Sequence, residues 1–289
     1  MKCCVYTVLV GGYEHLNEQP AASRSQLPFI CLTDDPALRS ESWNCRVVEP
    51  LFPEDTIRSQ RELKIRPHVY LPDYDCSIYI DNSVILKQPP ERLLELFAPE
   101  IGFLVAPHSY REAVLDEFLE VARQGFDDPS RIFEQLNHYT LSCPEVLEER
   151  PWWTGILIRD HRSAQVISML ETWASHVMRY SRRDQLSINV AFRAANFRPT
   201  AWAVDNQDSD LHLWPHTVGR NRDLGSRNPA VSQMPAAARI RRLELQLAES
   251  LAREDAFRAE IARLNTKAEA RKPQNRLRKL RRMMLGRPD

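Results

Sequence analysis

The sequence predicts an α/β fold, a mostly parallel sheet flanked by helices, with a helical extension at its C-terminal end. Three observations carry this expectation. Apolar runs of strand length alternate with amphipathic stretches of helical period, as in a doubly wound sheet. A hydrophobic content of 43% over 289 residues is enough to build a real core, and that length fits one large domain plus an appendage. Past residue 235 the strand-type runs stop, and apolar residues three and four apart take over.

Taken in order, strand-type runs fall at Cys4–Val10, Phe29–Leu32, Arg46–Val48, Ser77–Ile80 and Ile101–Ala106. Thr56–Tyr70 and Glu91–Phe97 read as helices between them, the second introduced by Pro89-Pro90 near the first helical position. Ala113, Leu115, Phe118, Leu119 and Val121 predict an amphipathic helix within Ser109–Gly125 that ends at the glycine. Trp152–Ile158 is a further strand, Ala164–His176 a helix, and Arg183-Asp184-Gln185 opens another helical stretch to Ala194. The Arg, Asn, Ser and Pro-rich run from Asn221 to Pro235 marks a boundary, giving a domain over 1–232 and an extension over 233–289. In the extension, Ile240, Leu243, Leu247, Ser250, Glu254, Phe257, Ile261 and Leu264 form a short, imperfect heptad seam. It predicts a helix of about 30 residues, ~45 Å long.

The 39 basic and 39 acidic residues balance, but not evenly along the chain. Residues 271–289 hold eight Lys or Arg against one acid, so the globular part is mildly acidic. The six cysteines show no CxxC pairing and no zinc-site spacing with histidine, which fits reduced thiols in a cytoplasm. The first apolar run, Cys3–Val10, is too short to span a membrane and lacks a signal-peptide cleavage pattern.

The chemistry-bearing feature is Ile78-Tyr79-Ile80-Asp81-Asn82-Ser83, an apolar strand ending abruptly in a carboxylate and small polar residues. Ligands of open α/β sheets bind at such strand ends. Arg58, Arg61, Lys64 and Arg66 precede it on a predicted helix, with Arg61 and Lys64 on one face. Carboxylate and cations together suggest a nucleoside diphosphate, whose leaving-group charge needs neutralising. Each residue has a plainer rival: Asp81 a turn or cap, Arg61 and Lys64 a solvated basic face. Thr7 and the Gly11-Gly12-Tyr13 turn follow the first strand, where backbone can approach a ligand. Thr33 and Asp34 close the second strand and would receive base or ribose, against an Asx-type turn. Asp184 and Gln185 would hold sugar hydroxyls, against a helix N-cap. His212 and His216 are four apart, and His216 precedes Gly219, Arg220 and Arg222, a set suited to a diphosphate. Trp152-Trp153 is either an acceptor platform or, as aromatic pairs more often are, core.

In this order the motifs resemble a glycosyltransferase family with a GT-A-like fold, formerly a domain of unknown function in plants and bacteria, distantly similar to retaining glycosyltransferase family eight. The resemblance runs through Tyr6-Thr7, Gly11-Gly12-Tyr13, Cys31 to Asp34, Arg61 to Ile65, Asp73 to Asp81, His108, Arg111, Glu117, Gly155 to Arg159, His161 and Arg183 to Ser187. It covers residues 4–205. It implies a nucleotide-diphosphate sugar as donor, a glycan or lipid-linked acceptor, and polysaccharide biosynthesis as setting. Asp81 stands at the position of the fold's Asp-X-Asp signature, with Ser83 where the second acid belongs. A hydroxyl is a poorer ligand for a hard cation, so the resemblance implies Mn or Mg held by Asp81 and Ser83, completed by His216. Asp184 and Gln185 are similar to the donor-sugar pair of the related family eight. A non-catalytic carbohydrate-binding or scaffold protein is the rival kept alive by Ser83, and a coiled-coil membrane adaptor is a third reading.

The extension lies outside the resemblance. Its heptads suggest homo-oligomers. In the tail, Leu277, Leu280, Met283 and Met284 share a face ringed by Arg276, Arg278, Lys279, Arg281 and Arg282. This pattern suits the surface of an anionic membrane. Nucleic acid is not expected, because the tail has no aromatic stacking groups.

Overall fold

A computed structural model describes residues 1–220, 236–271 and 273–286. Its centre is a seven-stranded sheet of β1 (Cys3–Leu9), β2 (Phe29–Thr33), β3 (Asn44–Val47), β4 (Cys76–Ile80), β6 (Phe103–Pro107), β7 (Trp152–Asp160) and β8 (Thr200–Ala201), in the order β3-β2-β1-β4-β7-β6-β8. All neighbours pair in parallel except those of β7, which runs against both β4 and β6. The predicted α/β, mostly parallel sheet is therefore present, with one reversed strand that apolar periodicity does not reveal. A separate two-stranded ribbon joins β5 (Ile85–Leu86) to β9 (His212–Leu213).

Alternation along β1 feeds two core layers. Cys4, Tyr6 and Val8 pack with Leu63, Trp173 and Phe192, while Cys3, Val5 and Leu9 pack with Ile78, Ile80 and Trp153. The first layer is covered by α1 (Thr56–Ile65), α6 (Ala164–Arg179) and α7 (Ile188–Ala194). A third cluster joins α4 (Val114–Arg123) to α5 (Pro129–Ser142) through Val114, Phe118, Val121, Ile132 and Tyr139. Two short helices, α2 (Pro67–Tyr70) and α3 (Glu91–Leu94), complete this unit.

The differences from the sequence reading have local causes. The helix expected over Thr56–Tyr70 breaks at Arg66, because Pro67 offers no amide hydrogen to continue it and starts α2 instead. The helix within Ser109–Gly125 is confined to Val114–Arg123. The α5 helix was not anticipated, although Asp128 caps it by accepting from the Ser130 amide at 2.9 Å, with Pro129 at its first position. The run from Arg183 is a 3-10 turn over Asp184–Leu186 before α7.

The end of α1 is tied to the sheet. The Lys64 carbonyl accepts from Tyr6 Oη and from Arg159 Nη1, each at 2.6 Å, and Arg159 Nη2 donates to Tyr6 Oη at 2.5 Å. Arg159 is fully buried and has no carboxylate within ion-pair reach among the described residues. Its charge is spread over hydrogen bonds and the Tyr6 and Tyr79 rings.

The chain divides into two compact units, residues 1–233 and 234–289. The second contains helices Ala236–Arg271 and Pro273–Met284. The longer one is 36 residues, ~54 Å, more than the heptads predicted. Its seam residues Ile240, Leu243, Leu247, Phe257, Ile261 and Leu264 are exposed, as are Leu277, Leu280, Met283 and Met284. Among the described residues no helix is long and apolar enough to cross a membrane. The expected boundary run Asn221–Pro235 lies outside the described residues.

Trp173 is fully buried on α6, and its Nε1 donates to the Asp184 carbonyl at 2.9 Å. Trp173→Ala should lower unfolding free energy by about 3–5 kcal/mol in a urea titration, and Trp173→Phe by about 1–2 kcal/mol, mainly through the lost hydrogen bond.

Candidate functional site

A cleft of about 500 Å³ opens at the carboxyl ends of β1 and β4. The strand order 3-2-1-4 makes this the place where the sheet's connections diverge, the usual ligand crevice of an open α/β sheet. Tyr13 and Glu14 line it after β1, and Asp81 to Ser83 after β4. The reversal of β7 brings its starting residues, Trp153 to Gly155, to the same edge, where the Asp81 amide donates to the Gly155 carbonyl at 2.8 Å. Glycine is required at 155 because a Cβ there would run into the Trp153 indole. Gln60, Arg61 and Lys64 enter from α1, Glu117 and Glu120 from α4, and Arg183 to Gln185 from the turn before α7.

The four cations expected on α1 separate. Arg58 turns to the C-terminal carbonyls of α6, including those of Val177, Met178 and Tyr180, where a cation suits the helix dipole. Arg66 pairs with Glu62 and Glu171. Only Arg61 and Lys64 of the four line the cleft, and they are buried rather than a solvated face. Lys64, 1% exposed, places Nζ 2.6 Å from Asp184 Oδ2, 3.1 Å from Thr154 Oγ1 and 3.4 Å from Asp81 Oδ1. Arg61 Nε stands 3.2 Å from Asp184 Oδ1. Asp184, 2% exposed, thus has both oxygens committed, and Thr154 Oγ1 also donates to it at 3.0 Å. Burial alone would raise its carboxyl pKa, but the Arg61 and Lys64 charges hold it well below the usual carboxylate range. The N-cap expected as the rival role for Asp184 is not what it does.

Asp81 differs from Asp184 in being 28% exposed on its side chain. Its Oδ1 accepts from Tyr79 Oη at 2.6 Å, and no described residue bonds its Oδ2. Gln185 lines the cleft and reaches the Trp152 carbonyl at 3.4 Å. Across the cleft, burial raises the Glu117 carboxyl against the opposing Arg183 and Arg111 charges. His108 is pushed down to about 4 by burial and by Arg111 and Arg150, so it is neutral near pH 7.

Other expected residues are placed elsewhere. Thr7 is buried inside β1 and does not line the cleft. Thr33 Oγ1 accepts from the Asp35 amide at 3.1 Å, and the Asp34 carboxylate holds the Gly11 amide at 3.0–3.1 Å. The first is a local turn bond and the second ties the loop after β2 to the loop after β1, and none of Thr33, Asp34 and Gly11 lines the cleft. Gly11 has φ +83° and a Cβ there would strike Thr56, whereas Gly12 is exposed. Tyr13 lines the cleft and its Oη accepts from Gln60 Nε2 at 3.1 Å. Trp153 is buried, stacked on His212, so the core reading holds, with one edge on the cleft.

The metal set is not assembled by the described residues. Ser83 Oγ accepts from Trp214 Nε1 at 3.1 Å, and His216 meets Ser83 only through its backbone, its amide donating to the Ser83 carbonyl at 2.7 Å. The His216 residue is exposed and absent from the cleft lining. His212 is on β9, not a helix, with both ring nitrogens bonded to Ser209 and Asn206. Among the described residues no three His, Cys, Asp or Glu side chains converge to hold a metal, and the Lys64 ammonium already stands beside Asp81. The donor set does not fit a divalent cation. Arg220 pairs with Glu14 at 2.6 Å, while Arg222 lies outside the described residues. Sequence reasoning missed Thr154, Tyr79 as a hydrogen-bond donor, and the Glu14–Arg220 pair, none of which has a spacing signal.

A family described as TOD1/MUCI70, glycosyltransferase-like domain, matches residues 31–205. The chain belongs to this family. Among solved structures, it is similar to the apo form of the bifunctional glycosyltransferase WbbM, at 8% identity and TM-score 0.42, over 70% of this chain and 38% of that one. It is also similar to apo mouse xyloside xylosyltransferase 1, at 12% identity and TM-score 0.40, over 70% of this chain and 84% of that one. The chain thus spans well under half the length of WbbM. Comparison with curated proteins gives no match.

Asp184→Asn should remove about 3 kcal/mol of stability at pH 7, because it leaves Lys64 and Arg61 buried without their main counter-charge. The folded pKa of Asp184 is depressed, so its contribution is complete above the unfolded value near 4 and declines as pH falls below it. Urea titrations at pH 7 and pH 3 should show the wild-type advantage shrinking at the lower pH.

Proposed function

We propose that the chain is a hexosyltransferase, moving a hexose from a nucleoside-diphosphate sugar to a glycan or lipid-linked acceptor. The observation that carries this reading is the cleft at the β1–β4 edge, where one carboxylate with an open oxygen faces a preorganised cationic floor in a glycosyltransferase-like domain. In this reading Asp81 accepts from a ribose hydroxyl and Gln185 bonds the donor sugar. Asp184 acts as a positioning residue that holds Arg61 and Lys64 toward the phosphates. The anomeric C–O bond to the diphosphate breaks with its electron pair leaving on phosphate oxygen. The acceptor oxygen forms the new glycosidic bond, and the products are glycoside, nucleoside diphosphate and the acceptor's proton. Fixed cations stabilise the charge that grows on the leaving group without reorganising at that moment. No step is assigned to a metal, because the described donor set does not fit one.

The domain assignment that accompanies this reading places transfer in residues 1–232 and association in 233–289. The exposed apolar stripe of Pro273–Met284 among its cations supports peripheral contact with an anionic membrane, which would keep a cytoplasmic enzyme near lipid-linked acceptors. The seam of the long helix supports self-association.

Calorimetric titration with nucleoside diphosphates should show binding that Asp81→Ala weakens about tenfold, equal to ~1.4 kcal/mol; wild-type affinity in the variant would sink the ribose role. Release of free sugar from the matching donor separates an enzyme from a binding scaffold, since a scaffold binds nucleotide without turnover. In vesicle co-sedimentation, the protein should bind membranes containing phosphatidylglycerol and not pure phosphatidylcholine. Replacing Arg278, Lys279 and Arg282 by glutamate should abolish that binding, each cation contributing about 1 kcal/mol near an anionic surface.

A further inference from the structure

The cleft is lined by five Lys or Arg side chains, and four have acidic partners. Lys64 and Arg61 hold Asp184, Arg220 holds Glu14, and Arg111 lies 3.4 Å from Glu117 and 3.7 Å from Glu120. Arg183 differs. Among the described residues its guanidinium forms no ion pair and no hydrogen bond. Its Nε is buried with no partner, and the group lies over the Phe126 ring at 5.0 Å. Burial, and after it the repulsion of Arg61, lower the Arg183 pKa from its ordinary value, with Asp184, Glu117 and Asp81 opposing this. An arginine so placed is a charge lacking its counter-ion.

Its position is also fixed from both sides. On the N-terminal side, Asp127 Oδ2 accepts from Ser181 Oγ at 2.7 Å and from the Arg182 amide at 2.8 Å, and Arg182 Nη1 reaches Asp55 at 2.9 Å. On the C-terminal side, the Asp184 carbonyl is held by Trp173. The Arg183 backbone therefore cannot relax toward solvent without breaking buried bonds. A guanidinium fork presented this way matches two phosphate oxygens in a bidentate contact.

We propose that Arg183 is the anion receptor of the cleft, taking the pyrophosphate of a nucleoside diphosphate as the counter-ion that the protein itself does not supply. This rests on the transferase reading and assigns the leaving-group contact to a residue that Arg61 and Lys64 flank rather than replace. Both of those cations are already engaged by Asp184, so the affinity gained from an incoming anion is greatest at Arg183.

The test is titration of the full-length protein with a panel of nucleoside diphosphates, with inorganic pyrophosphate, and with the matching nucleosides. Arg183→Gln should weaken diphosphate and pyrophosphate binding by about 30-fold or more while nucleoside affinity stays within about twofold. Arg183→Lys, which keeps the charge but not the fork, should lose about tenfold for the same anions and gives the answer if the glutamine variant does not fold. Pyrophosphate binding that depends on Arg183, with no nucleoside diphosphate bound, would uphold the receptor and overturn the nucleotide-sugar reading. Nucleoside diphosphate binding unchanged in both variants would overturn the receptor and leave that reading standing. Absence of both pyrophosphate and nucleotide binding by the wild type at about 10 mM would sink the receptor outright.

Discussion

The Lys64–Asp184 ion pair, 2.6 Å long and almost wholly buried, ties the candidate site to the core of the fold. Two charges taken from water cost several kcal/mol each, a debt that attraction alone does not reliably offset. Here the surroundings complete the compensation. Thr154 donates to the same carboxylate oxygen, and Arg61 approaches the other. The backbones of the pair are held as firmly as the side chains: Tyr6 and Arg159 donate to the Lys64 carbonyl, and Trp173 to that of Asp184. Helix α1, strand β7 and the turn before α7 thus converge on one pair. Such a pair is weak evidence for stability and good evidence for a fixed geometry.

Fixed geometry is what an electrostatic site needs. A cleft that must favour a diphosphate cannot rely on long cations sweeping through water, because their charge is screened and their entropy is lost on binding. Burying Lys64 and Arg61 against Asp184 holds them in place, and the same burial leaves them largely neutralised. Arg183, whose neighbours along the chain are anchored while its guanidinium has no acid, completes the arrangement. The site consequently combines two cations that share Asp184 with one, Arg183, that has no acidic partner among the described residues. Asp81, with one oxygen engaged by Tyr79 and Lys64, is the cleft's open acceptor.

Some of this was legible from residue order. Asp81 at the end of β4, Arg61 and Lys64 one turn apart on α1, and Asp184-Gln185 before α7 all line the cleft, because strand ends and helix faces follow from local period. Thr33 and Asp34 read equally well as ligand contacts or as turn residues, and the fold uses Thr33 for a local turn and Asp34 to hold the Gly11 amide. Ser83 and His216 looked like metal donors by motif, yet Trp214 and the β5–β9 ribbon take up the hydroxyl and turn the histidine to a backbone contact. Thr154 carried no signal, and Arg159 entered only as part of a resembling motif, since a polar residue in a strand says nothing of the partner that satisfies it.

The sequence by itself determined the alternating elements, the parallel half of the sheet, the family and the split in charge between the globular unit and its tail. The elements and the charge split depend on periodicity and composition, which neighbouring residues encode, whereas the family is carried by the order of the motifs it resembles. Only the tertiary structure decided that β7 runs backwards, that Arg58 and Arg66 leave the cleft, and that Arg183 alone of its five lining cations lacks an acidic partner among the described residues. Those outcomes turn on separations of a few ångströms between segments far apart in the chain. Coulomb and hydrogen-bond energies change steeply over such distances.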